Sequence, residues 1–315
     1  MSEAKYFVAR LLKAIAEQLP QSPAYRALPL DERKRLAERE AEQIVAHALG
    51  WDRVKLLQSL GDEVPDEVAE RAARLAALRA QGEPLAYVLG KQDFYGRTFE
   101  VGPDCLIPRP DTEVLVEEAI RFLKRMPSGT RVIDVGTGSG CIAVSIALAC
   151  PGVSVTAVDL SMDALAVARR NAERFGAVVD WAAADGIEWL IERAQRGRPW
   201  HAIVSNPPYI PTGEIDQLEP SVRDYEPRLA LDGGEDGLQF YRRMAALPPY
   251  VLARGRAGVF LEVGHNQADE VARLFAPWKE RGFRVRKVKD LRGVDRVIAV
   301  TREPGSPPEP ENLSI

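Results

Sequence analysis

Seven short strand-like segments occupy residues 131–135, 153–158, 178–182, 201–205, 257–263, 283–288 and 296–301, and helix-forming stretches separate the earlier ones. No other feature restricts the fold of this chain as much. A helix between two strands carries the chain back across the sheet, so successive strands pair in parallel and helices cover the faces. The last two runs are joined only by Asp290-Leu291-Arg292-Gly293, too short for a crossover, and are expected to pair antiparallel. The fold class is therefore α/β, with a seven-stranded, mostly parallel sheet. Open sheets of this kind bind ligands outside the carboxyl ends of their strands.

The first run, Arg131-Val132-Ile133-Asp134-Val135, passes directly into Gly136-Thr137-Gly138-Ser139-Gly140, and Cys141 to Leu148 then has helix-forming composition. Glycines in such a turn permit positive φ and let a ligand approach the main chain. The second run ends in Asp159, nineteen residues after Gly140. A carboxylate at that spacing suits a ribose diol. A dinucleotide fingerprint would need its third glycine at position 141, where Cys141 stands, and no Gly-Lys-Ser/Thr phosphate loop occurs. The turn suits a nucleoside-like ligand without phosphates, and S-adenosylmethionine meets that description.

Asn206-Pro207-Pro208-Tyr209 follows the apolar Ala202-Ile203-Val204. Proline has no N–H and biases the preceding residue away from helix, so Asn206 and Pro207 are both expected to be extended beyond a strand end. The Asn206 side-chain oxygen and the Pro207 carbonyl then stand as two acceptors, which a flat NH2 group with two hydrogens requires. Tyr209 adds a ring able to pack on such a group. Alone, the tetrapeptide reads first as a proline-stiffened loop. Sharing a sheet edge with Asp134, Gly136, Asp159 and Asp185 makes it part of one site.

Other features narrow the class. The net charge is −4 over 315 residues, so the broad basic footprint of a nucleic-acid-binding protein is absent. Cys105, Cys141 and Cys150 have no metal-ligand spacing; no metal is expected, and the thiols read as buried and free in a reducing cytoplasm. The N-terminus is charged rather than signal-like, and no apolar run approaches the ~18 residues that span a membrane, so a cytoplasmic protein is expected. Residues 1–88 read as a helical bundle without strands: Asp31 is expected to cap a helix that passes Ile44 and stops at Gly50, and Pro65 to open another ending near Gly82. Residues 89–109, broken by Gly90, Gly96 and Gly102-Pro103, suggest a β-hairpin linker. The α/β domain then takes residues 110–302, with a helix beginning near Asp111. Residues 303–315, rich in proline and glutamate, read as a disordered tail.

Several further segments belong with these motifs: Gly82-Glu83-Pro84-Leu85-Ala86-Tyr87, Phe94-Tyr95-Gly96, Leu106-Ile107-Pro108-Arg109-Pro110-Asp111-Thr112-Glu113, Glu226-Pro227-Arg228-Leu229-Ala230-Leu231, Gly234-Glu235-Asp236-Gly237-Leu238 and Lys289-Asp290-Leu291. Together they resemble the class I S-adenosylmethionine-dependent methyltransferases that modify a planar NH2 nitrogen. Within that group the chain is most similar to the protein-glutamine N5-methyltransferases of peptide chain release factors. The resemblance implies a Rossmann-like domain, S-adenosylmethionine as cofactor with S-adenosylhomocysteine as product, and release factors as partners, methylated on the glutamine of a Gly-Gly-Gln loop. It implies that Asp134, Gly136, Thr137, Gly138, Ser139, Gly140, Asp159, Asp185, Gly186 and Asn206 hold the cofactor. It further implies that Asn206, Pro207 and Tyr209 are catalytic, and that Asn206, Pro207, Pro208 and Tyr209 bind the acceptor.

Plainer roles stand beside these. Asp134 can satisfy the glycine turn, Asp185 can cap the next helix, Arg109 can be a surface residue, Glu226 and Arg228 can pair with each other, and Trp181 and Trp189 can be core. The helical bundle can present solvated faces or dock the protein substrate, and the chain is expected to act as a monomer. A related enzyme that methylates a large-subunit ribosomal protein shares Asn-Pro-Pro-Tyr but departs from the Ile107–Glu113 pattern, and ranks second. A nucleic-acid adenine or cytosine N-methyltransferase ranks below it, because an exocyclic base amine is also a flat NH2 group.

Overall fold

Helical periodicity gives way to strand alternation near residue 91, and the structure, a computed structural model describing residues 6–26 and 28–304, divides there into two units. One unit holds the residues up to Lys91 together with Gln217–Tyr225. The other holds Gln92–Asp216 and the chain from Glu226 onward. The expected disorder of 305–315 lies outside the described residues.

In the first unit, β1 (Tyr6–Phe7), α1 (Val8–Gln18), α2 (Leu30–Leu49), α3 (Arg53–Gln58), β2 (Glu63–Val64), α4 (Asp66–Ala80) and α5 (Leu85–Leu89) follow one another. The antiparallel pair β1–β2, only two residues long, interrupts a stretch expected to be wholly helical. Asp31 does not cap α2: Pro29 occupies the cap position with an extended backbone, no side chain caps the end, and Asp31 lies in the first turn, where its charge still favours the helix dipole. Gly50 ends the helix in the left-handed conformation at φ 69°. Leu11, Ile15, Ile44, Val45, Ala72 and Ala76 form the apolar centre. Beside it lies a buried polar knot in which Arg79 Nε donates to Glu40 Oε2 at 2.6 Å, Tyr25 donates to the same oxygen, and Ser22 Oγ donates to the Arg79 carbonyl at 3.0 Å. The Tyr225 hydroxyl donates to the Gln81 carbonyl at 3.4 Å, tying the later segment into this unit.

The second unit begins with β3 (Lys91–Phe94) and β4 (Arg97–Glu100), which form a small sheet of their own across Tyr95-Gly96. Both turn residues have positive φ, 49° and 71°, as a two-residue hairpin turn demands. Next come α6 (Thr112–Leu123), β5 (Thr130–Val135), α7 (Cys141–Ala149), β6 (Val153–Asp159), α8 (Met162–Phe175), β7 (Val179–Ala183), α9 (Gly186–Gln195) and β8 (Ala202–Ser205). After the excursion containing α10 (Pro220–Arg223), the chain adds α11 (Gln239–Ala245), β9 (Ala257–Glu262), α12 (Ala268–Leu274), β10 (Arg284–Lys289) and β11 (Asp295–Arg302).

The seven strands lie in the order β10-β11-β9-β8-β5-β6-β7. All pairings from β9 to β7 are parallel, and β11 runs antiparallel to both β9 and β10, the latter as their short connection leads one to expect. Alternate residues of β5 feed the two faces: Ile133 and Val135 join the core under α9, α11 and α12, and Val132 joins the core under α6 and α7. Strands added after β5 extend the sheet one way through β6 and the later ones extend it the other way from β8. The strand order reverses between β5 and β8, which is where a sheet of this kind opens a crevice.

Candidate active site

The turn after β5 is held by its neighbours before any ligand is considered. The Gly136 and Thr137 amides donate to the Val158 carbonyl at 2.8 and 3.1 Å, and the Gly138 amide donates to Asp159 Oδ2 at 2.8 Å. Gly136 and Gly138 adopt φ of 75° and 54°, and a Cβ added at either would meet nothing within 4 Å, so bare main chain faces open space there. Gly140 is glycine for a different reason. At φ 80° it starts α7, and a Cβ on it would lie 2.9 Å from Ala168 Cβ of α8. The third glycine thus serves helix–helix approach.

Asp134 is completely buried and absent from the cavity lining. Its Oδ2 accepts from Thr137 Oγ1 at 2.6 Å and from the Ala143 amide at 3.2 Å, while Oδ1 has no partner. Burial pushes its carboxyl up to about 7 against those two hydrogen bonds. The geometry matches the plainer role, satisfaction of the glycine turn. Thr137 and Ser139 are likewise buried beneath the turn.

Above the strand ends lies a cavity of about 350 Å³, within the ~300–1,000 Å³ usual for small-molecule sites. Gly136, Gly138, Asp159, Asp185, Gly186, Asn206, Pro207 and Pro208 all line it, so residues spread over 73 sequence positions share one wall. Asp159 is fixed at both oxygens, Oδ1 accepting from the Ser161 amide at 2.9 Å, which leaves one lone pair on each for a ligand. Asp185 takes up its helix-capping role and lines the cavity as well. It accepts from the Ile187 and Glu188 amides at 3.0 and 3.2 Å and from Arg243 Nη1 at 2.9 Å. Burial alone would raise its carboxyl, but the Arg243 guanidinium and the helix amides bring it below the usual carboxylate range. Gly186 packs so closely on β5 that a Cβ would fall 2.4 Å from Val135 Cγ1.

The far wall comes from Asp104-Cys105-Leu106 and from Pro227, Leu229, Ala230, Asp232 and Gly233. Burial pushes the Cys105 thiol up to about 11, and all three cysteines are buried as expected. Arg109 pairs with Glu226, whose Oε2 also accepts from the Ile107 amide at 3.2 Å. Glu226 therefore does not pair with Arg228, which reaches Asp232 at 3.4 Å instead. Trp189 packs at the edge of the core against Trp200, and Trp181 beside the opposite one.

Asn206-Pro207-Pro208-Tyr209 leaves β8 as a stiff rod gripped at both ends. Asn206 Nδ2 donates to Thr112 Oγ1 at 3.2 Å. At the other end Gln267 Nε2 donates to the Tyr209 carbonyl at 2.8 Å, and added Cβ atoms on Gly233 and Gly237 would lie 2.8 Å from Tyr209 Cα and 2.3 Å from Tyr209 O. The Tyr209 ring packs against the core under α11 and α12 and does not line the cavity, unlike the stacking expected of it. Burial pushes its hydroxyl up to about 12. His201 stands at the opposite end of β8, its Nδ1 accepting from the Arg131 amide at 3.0 Å.

Comparison with known proteins gives this arrangement a family. The PrmC N-terminal domain matches residues 30–90 and the methyltransferase small domain matches residues 112–219. A release factor glutamine methyltransferase from Geobacter sulfurreducens is 44% identical over 83% of this chain and 88% of its own length. One from Bacillus subtilis is 39% identical over 91% and 97%. This chain belongs to the release factor glutamine methyltransferase family. Its fold is that of the S-adenosylmethionine-dependent methyltransferases. A solved protein-(glutamine-N5) methyltransferase (release factor-specific) from Alicyclobacillus acidocaldarius is 77% identical, covering 65% of this chain and all of that one, with a TM-score of 0.47.

In this member of the family, sequence reasoning missed Thr112, Glu262 and Gln267 as neighbours of the tetrapeptide. Thr112 sits inside the segment Leu106 to Glu113, so a signal for it existed. Glu262 and Gln267 carried none, since one ends an apolar strand and the other opens a helix. Among the described residues no cluster of His, Cys, Asp and Glu could hold a metal ion, and no helix is long and apolar enough to cross a membrane.

Proposed function

We propose that this chain transfers a methyl group from S-adenosylmethionine to the side-chain amide nitrogen of the Gly-Gly-Gln glutamine of peptide chain release factors, acting in the cytoplasm as a monomer. The observation that carries this reading is the convergence of the open glycine turn, Asp159 and Asn206-Pro207-Pro208 on one cavity.

The lining residues fit the cofactor. Four carboxylates, Asp104, Asp159, Asp185 and Asp232, line the cavity against a single cationic side chain, Arg243, which is already paired with Asp185 and Glu188. That balance suits a ligand with positive charge and no phosphate. Asp159 is positioned to receive the ribose hydroxyls, the Gly136 and Gly138 main chain to lie against the amino-acid tail, and Gly186 with Ile187 to flank the adenine. When bound, the cofactor supplies an electrophilic methyl on a sulfonium that leaves as a neutral thioether.

The acceptor sets the chain's own task. An amide nitrogen is conjugated with its carbonyl, as the rotation barrier of roughly 18–20 kcal/mol shows, and is a poor nucleophile. Asn206 Oδ1 and the Pro207 carbonyl accept its two hydrogens, hold its plane, and stabilise the positive charge that grows on it during attack; fixed acceptors are most effective where charge develops. Orientation by the proline-stiffened segment contributes part of the roughly 7–11 kcal/mol available in ideal intramolecular cases. Tyr209 anchors this segment through its partly buried ring and its Gln267-bound carbonyl. The test offers a release factor, a large-subunit ribosomal protein and an oligonucleotide together and maps the added methyl by mass. Methyl on the release factor glutamine is expected, and methyl confined to either competitor would overturn the assignment.

A further inference from the structure

Asn206-Pro207-Pro208-Tyr209 has two successive residues without an N–H, so it can be fastened only through its carbonyls, its side chains and its two ends. At the far end a single side-chain amide binds it. Gln267, partly buried at the start of α12, donates from Nε2 to the Tyr209 carbonyl at 2.8 Å and to the Gly237 carbonyl at 3.4 Å. Its Oε1 accepts from the Gly264 amide at 3.0 Å. A side-chain amide has a donor end and an acceptor end, and here each meets main-chain groups of the opposite kind. Three separate loops, those after β8, before α11 and after β9, therefore dictate which way Gln267 points. Two of them are cleared of side chains at the point of contact. A Cβ on Gly237 would fall 2.6 Å from Gln267 Nε2, and one on Gly264 would fall 2.7 Å from Gln267 Oε1. The loop before α11 also supplies Gly233 to the cavity, and it is bonded to the chain just past Tyr209. There the Ile210 amide donates to the Leu231 carbonyl at 3.0 Å, and the Gly233 amide donates to the Ile210 carbonyl at 2.8 Å. Gln267 is itself absent from the cavity lining.

We propose that Gln267 is a positioning residue for methyl transfer, its side-chain amide setting where the Asn206 oxygen and the Pro207 carbonyl stand relative to the glycine turn. The proposal rests on the reading that these two groups receive the acceptor NH2. Two proline rings restrict rotation within the segment, so a displacement at Tyr209 is passed along it rather than absorbed. Fixed acceptors lose their effect when they move off the atom on which charge develops, and a shift of about 1 Å can cost about a hundredfold in rate. The polarity of the side chain matters as much as its size. Glutamate has the same shape, but an ionised carboxylate only accepts. It would keep the Gly264 amide and set an oxygen against the Tyr209 and Gly237 carbonyls. A protonated carboxyl regains one O–H to give to Tyr209, and a carboxyl held against carbonyls and partly out of water keeps its proton to higher pH than a free one.

The experiment measures kcat and KM of the full chain with a release factor as acceptor, and calorimetric cofactor affinity, for the parent, Q267E and Q267M from about pH 6 to about pH 8. Rates are taken as ratios to the parent at each pH, so that groups titrating in all three proteins, such as Glu262, which burial pushes up to about 7, cancel. At the alkaline end both variants should lose kcat by roughly ten- to a hundredfold, with cofactor affinity and KM within a few-fold of the parent. As the pH falls, Q267E should recover part of its loss, whereas Q267M, with no proton to give, should stay low. A role in packing alone would leave both ratios independent of pH. A parent-like kcat in Q267E at the alkaline end, a ratio for Q267E that does not rise toward the acid end, or loss of its cofactor binding along with kcat overturns the proposal. If Q267M does not bind cofactor, the pH course of Q267E against the parent decides. N206A separates the two levels: inactive N206A with parent-like Q267E sinks only this inference, while active N206A sinks the reading beneath it.

Discussion

At the scale of single residues, Asn206 and Asp159 both line the cavity, and we propose that they meet different ligands. Asn206→Ala is expected to abolish turnover while calorimetric cofactor affinity stays within a few-fold of the parent; equal loss of both would remove its assigned role. Asp159 is the reverse case, because its carboxylate both faces the cavity and receives the Gly138 amide. Asp159→Ala should weaken cofactor binding by one to two orders of magnitude, about 1.4 kcal/mol for each tenfold step, and calorimetry would reveal a silent substitution. Both residues were legible in the sequence because a polar side chain directly after an apolar strand has little structural reason to be there. Glu262 was not legible. It ends an apolar strand as Asp159 does, and nothing local says that a carboxylate there is buried rather than solvated. Tyr209 was misjudged for a related reason. The sequence suggests an aromatic ring beside a flat group, but the ring packs against the core, with Gly264 close to it and Gly233 and Gly237 close to the Tyr209 main chain.

At the scale of elements, strand positions and directions were legible because the central strands β5, β8 and β9 are buried and read as apolar runs, whereas the edge strand β10 is mostly exposed and carries basic residues. The β1–β2 pair was not, since two residues carry no periodicity. The cap of α2 was misread because Pro29 starts the helix by its fixed φ, with no side-chain acceptor needed. The glycine turn shows how one motif serves two elements. Gly140→Ala would push a methyl into Ala168 and is expected to cost about 1–3 kcal/mol, the usual range for overpacking. Denaturant unfolding should register that loss, and the remaining folded protein should bind cofactor with nearly parental affinity. The same change at Gly136 meets open space, and its expected cost is backbone strain alone, about 1 kcal/mol. A larger stability loss at Gly136 than at Gly140 would contradict the division of labour between the glycines.

At the scale of the whole molecule, we propose that the helical unit holds the protein substrate, since the proposed use of the cavity is a small cofactor and one amide. Removing residues 1–88 is expected to raise the KM for a release factor by about tenfold or more, equivalent to ~1.4 kcal/mol of lost binding, with cofactor affinity changed far less. Steady-state kinetics with calorimetry would test this, and an unchanged KM in a folded truncation would show that the unit is not a docking element. The sequence marks the boundary near residue 91 by its shift from helices to strands. It gives no sign that Gln217–Tyr225 belongs with the earlier residues, because that short segment has no periodicity of its own and is identified only by its partners, such as Gln81 and Gly82 at Tyr225. The chain therefore crosses between its units three times, and the helical unit is not one contiguous stretch of gene. A chimera that exchanges everything before residue 91 with a relative would graft a foreign bundle onto a native strap. Recombination between family members is compatible only when residues 217–225 travel with it.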